Sequence, residues 1–293
     1  MTDHALPPRP LQPHKSDILS VGLLSASFVF AFWPVWRDLI STWLQSEDAS
    51  HGFLVLPVAV YLLSKKSHVL SNVSPIASRW SLLSVFLALV SYLVFFTARV
   101  STLTSLAMVS FLAAAAFYLY RWEGLRQLAF PLFILLFMIQ VPSQLYAKLT
   151  LPLQLFVSEQ SVHLASALAI PVYRTGNIIQ LPDRILQVVQ ACSGLRSIMS
   201  LLFLAALLGY FGVKTTAARL VLLASATPIA VLVNILRVFL LIVVCTYTPL
   251  DPLRGPLHVF FGVMVFCLGL AFLLSATIAL AYCEKKYARR SLS

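Results

Sequence analysis

Runs of apolar residues close to membrane-crossing length alternate along this chain with short polar breaks, and the pattern predicts a helical bundle. About eight embedded segments are expected, over residues 18–36, 52–64, 80–98, 101–120, 127–146, 193–211, 220–247 and 257–282. The second is short for a hydrocarbon layer of about 30 Å. It is either re-entrant or spans by using Lys65 and Lys66 as snorkelling anchors. Two stretches outside these segments stand out. Residues 37–51 end in Glu47-Asp48-Ala49-Ser50-His51, and residues 147–191 form the longest interruption. The first half of that interruption is apolar but broken by Pro152, Glu159, Gln160 and His163, which suits a helix lying at the interface over 149–170. Its second half has β-type runs around Thr175-Gly176-Asn177 and Pro182-Asp183, so a small β-hairpin or lid is expected over 172–189.

Composition sharpens the class. Of 293 residues, 60% are hydrophobic and 11% charged, with a mean hydropathy of +0.90. A soluble surface needs more charge than that. The expected fold is an all-α polytopic membrane protein with an extracytoplasmic β-hairpin before the sixth helix. Residues 1–16, with Pro7, Pro8, Pro10 and Pro13, read as a disordered tail without the layout of a removed signal peptide. Residues 17–284 read as one membrane domain and 285–293 as a basic tail. The net charge is +11, but the basic residues sit in short clusters between apolar spans, which excludes nucleic-acid binding as the reading. Placing the N-terminus in the cytoplasm puts most of the 21 Lys and Arg residues on the inner side, among them Lys65, Lys66, Arg79, Arg126 and Lys285. Both termini are then cytoplasmic. The four cysteines show neither paired spacing nor neighbouring histidines at zinc spacing, so no metal, cofactor or disulfide framework is implied.

The candidate chemistry lies in the last three helices. Cys192 falls at the first turn of the sixth segment. Unpaired N–H groups and the positive end of the helix dipole favour a thiolate there, and the thiolate is the form that attacks carbonyls. Taken alone, a cysteine there also reads as a small apolar residue filling a helix start. Arg237 lies well inside the seventh segment, one turn beyond Asn234 and after Pro228. A cation at that depth faces the protein interior or snorkels to the outer surface, and an interior cation is a functional suspect. His258 opens the eighth segment, where a helix cap is its plainer reading. In the inferred topology Cys192, Arg237 and His258 all fall in the outer half of the membrane on consecutive helices, which tend to pack as neighbours. A nucleophile, a base and a fixed cation suffice for acyl transfer.

These residues carry a resemblance. Ala-Cys-Ser-Gly-Leu-Arg-Ser at 191–197, Pro-Ile-Ala-Val-Leu-Val-Asn-Ile-Leu-Arg-Val at 228–238, His258 followed by Gly262, and the early Ser-His-Gly-Phe-Leu-Val at 50–55 resemble the exosortase/archaeosortase family over nearly the whole chain. Gln190 departs from the pattern, where an acidic residue is expected. The resemblance implies a multi-spanning cysteine protease or transpeptidase of the inner membrane. Its partners would be exported proteins ending in a sorting signal: a short motif such as Pro-Glu-Pro, an apolar helix and a basic tail. The acyl group would pass to a lipid or glycan acceptor or to water, without a cofactor. By the same likeness Cys192 is the nucleophile, His258 the proton carrier and Arg237 the oxyanion partner, oriented by Asn234, with Ser193 beside the nucleophile in a supporting place. Arg196 has two readings, a hold on the thiolate or on an acidic substrate residue, and a snorkelling anchor. His51 either shapes the substrate entrance or is structural. The competing classes are a transporter, which intramembrane Arg and Asn also suit, and a non-catalytic scaffold for exopolysaccharide export.

Overall fold

A computed structural model describes residues 15–46, 48–70, 78–188, 195–249 and 255–290. The first expected span is broken. Helix α1 (Lys15–Ala31) and helix α2 (Trp33–Gln45) meet at a bend of 74° beside Phe32. Pro34 lies in the first turn of α2, where its missing N–H costs nothing to the helix it starts but gives nothing to the one before. Much of the stretch expected as an outer loop, 37–51, is therefore helical. The reason is a spacing of Val35, Leu39 and Trp43 that buries one face of α2.

Helix α3 (Gly52–Leu70), with Pro57 inside it, is followed by α4 (Arg79–Thr97) and α5 (Ser101–Leu135). Within α5 the backbone of Arg121 has φ 57° and ψ −161°, so residues 101–120 and 122–135 are two helical stretches joined at a break. A 3₁₀ turn (Leu136–Met138) leads to α6 (Ser143–Ala167), close to the expected interfacial helix. Helices α7 (Leu195–Gly212), α8 (Thr216–Tyr247) and α9 (Gly255–Arg290) complete the bundle. Among the described residues five helices have the length and apolarity to cross a membrane, or six if the bent α1–α2 pair is one span. The protein is an all-α, multi-pass membrane protein. The smaller count than eight has two sources. Helix α3, with Lys65 and Lys66 inside it, is not counted, and the stretch Ser101–Met138 counts once despite its break.

Between α6 and α7 the chain makes a three-stranded antiparallel sheet, β1 (Tyr173–Thr175), β2 (Ile178–Gln180) and β3 (Ile185–Gln187). Gly176, at φ +66°, supplies the left-handed turn between β1 and β2. Ile179 and Leu186 face each other across β2 and β3 and are buried with Val157 of α6 and Ile242 of α8. Asn177 Nδ2 donates to Gln154 Oε1 at 3.3 Å and Ser158 Oγ to the Gly176 carbonyl at 3.2 Å, which ties the sheet to α6. Helix α6 in turn is pinned to α8 by Ser161 Oγ donating to the Ile235 carbonyl at 3.1 Å.

Helix α8 is central and packs against α6, α7 and α9. Its far end is capped from outside. Glu284 of α9 accepts from the backbone N–H groups of Lys214 and Thr215, at 3.0 and 2.8 Å, and from the Thr215 hydroxyl. A carboxylate over the N-terminus of α8 satisfies otherwise orphaned donors and complements the helix dipole. At the other end Trp43, 4% exposed, donates its indole N–H to the Met138 carbonyl at 3.1 Å and joins α2 to the 3₁₀ turn. Gly52 permits this, because a Cβ there would run into the Trp43 indole. Gly52→Ala is expected to destabilise the folded protein by about 1–3 kcal/mol through overpacking, read as a lower thermal midpoint in detergent. An unchanged midpoint would contradict this packing.

Candidate active site

Two polar constellations occupy the end of the bundle away from the Glu284 cap. The first is the buried cation of α8. Arg237 Nη2 lies 3.4 Å from His258 Nε2, the two side chains half-buried between α8 and α9. A guanidinium has donors only, so the imidazole nitrogen must accept in this long contact. Both His258 Nδ1 and Arg237 Nε are buried and have no hydrogen-bond partner among the described residues. A buried polar atom left unpaired costs on the order of 1–3 kcal/mol, and an oxyanion or thiolate is the kind of group that a guanidinium N–H would satisfy. Gly262 faces the pair, since a Cβ there would stand 3.6 Å from Arg237 Nη2.

The second constellation centres on Asp48, in the turn between α2 and α3. Its Oδ1 accepts from Arg196 Nε of α7 at 2.9 Å, and its Oδ2 accepts from the Tyr146 hydroxyl of α6 at 2.6 Å. One carboxylate thus joins three segments that are remote in sequence. His51 lies beside it, with Nδ1 3.1 Å from the Asp48 carbonyl and Nε2 3.0 Å from the Phe137 carbonyl. These side chains line a cavity of about 410 Å³, whose walls include Leu136, Phe137 and Met138 of the 3₁₀ turn and Leu195 and Met199 of α7. Burial pushes the His51 imidazole below its ordinary value, against the raising effect of the Phe137 and Asp48 carbonyls and of the Asp48 charge.

The two constellations lie at the same end of the bundle. A Cβ on Gly269 of α9 would lie 3.1 Å from Leu201 of α7 and 3.6 Å from Val233 of α8, which fixes a common level. From there Arg237 is about 6 Å along α8 and Leu195 about 9 Å along α7 in the same direction.

Of the residues singled out in the sequence, Arg237 and His258 meet. Arg196 and His51 also come together, but around Asp48 and the cavity. Arg196 is bound to a carboxylate of the chain itself, and His51 both lines the cavity and braces its wall. Asn234 is 3% exposed in α8, and among the described residues no hydrogen bond joins it to Arg237. Cys192, Ser193, Gln190 and Glu47 lie outside the described residues, and the chain is followed to Val188 and again from Leu195. Sequence reasoning missed Asp48 and Tyr146 as site residues. The signal available was Asp48 itself, an acid near the membrane in a chain with few acids, but nothing in the sequence pairs it with Tyr146 or Arg196.

A multi-pass helical protein with a half-buried Arg–His pair and a cavity against a helix start is the class so defined. The chain belongs to the transmembrane exosortase family, whose model, described as "Transmembrane exosortase (Exosortase_EpsH)", matches residues 43–275. Comparison with curated proteins and with solved structures finds no match. The matched stretch contains Asp48, His51, Tyr146, Cys192, Arg196, Arg237 and His258.

The His51 environment sets a pH dependence. The unfolded chain takes a proton on this imidazole near its ordinary value of 6.5, whereas the folded protein resists it. The unfolded state binds more protons in that window, so stability is undiminished above 6.5 and falls as pH drops through and below it. The thermal midpoint of the native protein should fall more steeply between about pH 7 and pH 5 than that of His51→Gln in the same detergent. Parallel curves would contradict the assignment.

Proposed function

We propose that this protein is a thiol-dependent processing enzyme of the inner membrane, which cleaves C-terminal sorting signals of exported proteins on the extracytoplasmic side. The observation that carries the reading is the Arg237–His258 contact, with two buried nitrogens that have no partner among the described residues, on helices adjoining the one that follows Cys192. Family membership supports the reaction class.

In this reading Cys192 Sγ attacks the scissile carbonyl carbon. The thiol proton passes to His258 Nε2, the nitrogen that Arg237 otherwise faces. The resulting imidazolium repels the guanidinium, and Arg237 turns its N–H groups to the oxyanion. Collapse of the tetrahedral intermediate breaks the C–N bond, and His258 returns its proton to the leaving amine. The thioester is then opened by water or by a lipid or glycan nucleophile, giving an acid or a transferred acyl group and restoring the thiol. Ser193 flanks the nucleophile, and Asn234 holds the buried surface of α8 one turn below Arg237. The substrate's own apolar helix requires lateral entry beside the bundle. The β-sheet, tied to α6, serves as the extracytoplasmic cover of this end.

The test is a membrane assay with an exported reporter that carries a sorting signal followed by a tag. Native protein should release the tag and Cys192→Ala should not, at equal expression. Arg237→Gln should slow turnover by about 100- to 1,000-fold, the loss typical of an oxyanion donor, and His258→Asn by at least about 100-fold. Release that survives Cys192→Ala would overturn the thiol mechanism. Thiol-insensitive solute flux without any cleavage would favour a transporter.

A further inference from the structure

The cavity beside Asp48 has one wall unlike the others. Between the 3₁₀ turn and α6 the backbone of residues 139–142 belongs to no helix, and its two ends, Ile139 (φ −87°, ψ 130°) and Pro142 (φ −53°, ψ 136°), are extended. Ile139, Gln140 and Val141 all line the cavity. Non-helical backbone at the margin of a membrane bundle is tolerated where it lines a cavity or is otherwise satisfied. Here it is satisfied only in part. The Gln140 carbonyl accepts from Thr102 Oγ1 at 3.2 Å, and the Ile139 N–H is used within the preceding turn, at 3.2 Å from the Leu136 carbonyl. Among the described residues the Ile139 carbonyl, the Gln140 N–H and both the N–H and the carbonyl of Val141 have no partner. Successive residues of an extended segment present their backbone groups to opposite edges. An extended run between these two ends puts the free groups of Ile139 and Val141 together on one edge, and the Gln140 carbonyl that Thr102 holds on the other.

We propose that this free edge is a strand-addition site, on which the extended segment of the substrate next to its scissile bond docks as a short antiparallel or parallel partner of residues 139–141. This deepens the reading above and rests on it. Three observations select a peptide over other occupants. The free groups alternate acceptor, donor and acceptor in the order a neighbouring strand requires, so that main-chain bonds supply affinity. A volume of about 410 Å³ is room for a few side chains rather than a whole domain or an apolar helix. The opposite wall, Leu195, Arg196 and Met199, is the first stretch of α7, so a strand on 139–141 faces the start of the helix that follows Cys192 in the sequence. The charged rim is internally paired, Arg196 with Asp48, and the cavity walls are otherwise mainly apolar. Specificity then comes from side-chain shape and main-chain bonding more than from net charge.

The experiment uses full-length Cys192→Ala protein in nanodiscs, so that a bound peptide is not consumed. The probe is a fluorescent synthetic peptide spanning the motif-to-helix junction of a sorting signal from an exported protein of the same organism. It is compared with versions N-methylated at one backbone nitrogen at a time. Strand addition predicts a period of two: methylation at alternate nitrogens weakens binding by about tenfold or more, and at the positions between them by less than about twofold. A photo-crosslinking side chain at Gln140 should capture the same peptide, whereas one at Leu87, on the exposed face of α4, should not. Binding without the two-residue period, or capture absent at Gln140, overturns strand addition. So does failure of the peptide to bind when native protein still releases the reporter tag through Cys192, and in these cases the thiol enzyme stands. Neither binding nor thiol-dependent release would overturn both readings.

Discussion

A guanidinium inside an apolar helix is the constraint around which this bundle is arranged. Arg237 cannot give up its charge, so α8 must turn it away from lipid and surround it with protein. Packing α9 against α8 at Gly262 does this, and His258 offers a nitrogen that accepts. The solution is incomplete, because Arg237 Nε and His258 Nδ1 stay without acceptors among the described residues. In the proposed reaction these two nitrogens would meet a charge that forms only during turnover, where preorganised groups act most strongly.

The remainder of the architecture holds this arrangement from two sides. Glu284 fixes the distant end of α8 by capping it from α9, so the two helices that bear Arg237 and His258 are clamped at their far ends as well as packed along their length. Ser161 of α6 anchors α8 beside Ile235, and the small sheet closes over the same apolar cluster. Asp48 ties the α2–α3 turn, α6 and α7 to one another. Because Arg196 is the residue it grips, it also anchors the first turn of α7.

What the sequence made legible follows from the physics each feature uses. Apolar runs locate helices in a membrane protein because every backbone group there must be satisfied internally, and α4, α8 and the core of α9 fall where hydropathy puts them. Arg237 announced itself by its cost. The turn at Gly176 was legible from Thr175-Gly176-Asn177, although the third strand was not. The bend at Phe32 and the break at Arg121 were hidden, since a bend leaves the apolar count of a segment unchanged. The Asp48 cluster was hidden for another reason. Contacts between residues as far apart as 48, 146 and 196 are set by tertiary packing, and no local period encodes them. The free edge at Ile139 and Val141 is a property of backbone bonding, to which side-chain patterns are nearly silent.

The central claim is that the Arg237–His258 pair serves the thiol of Cys192, and the reactivity of that thiol reads it most directly. The rate of Cys192 alkylation in membranes, followed by mass spectrometry of the peptide that carries it, would be measured against pH for the native protein and for Arg237→Gln. The account predicts half-maximal reactivity below the ordinary thiol value of about 8.5 in the native protein and a shift to higher pH in the variant. Identical profiles in the two proteins would mean that the cation does not act on the cysteine, and would contradict the account.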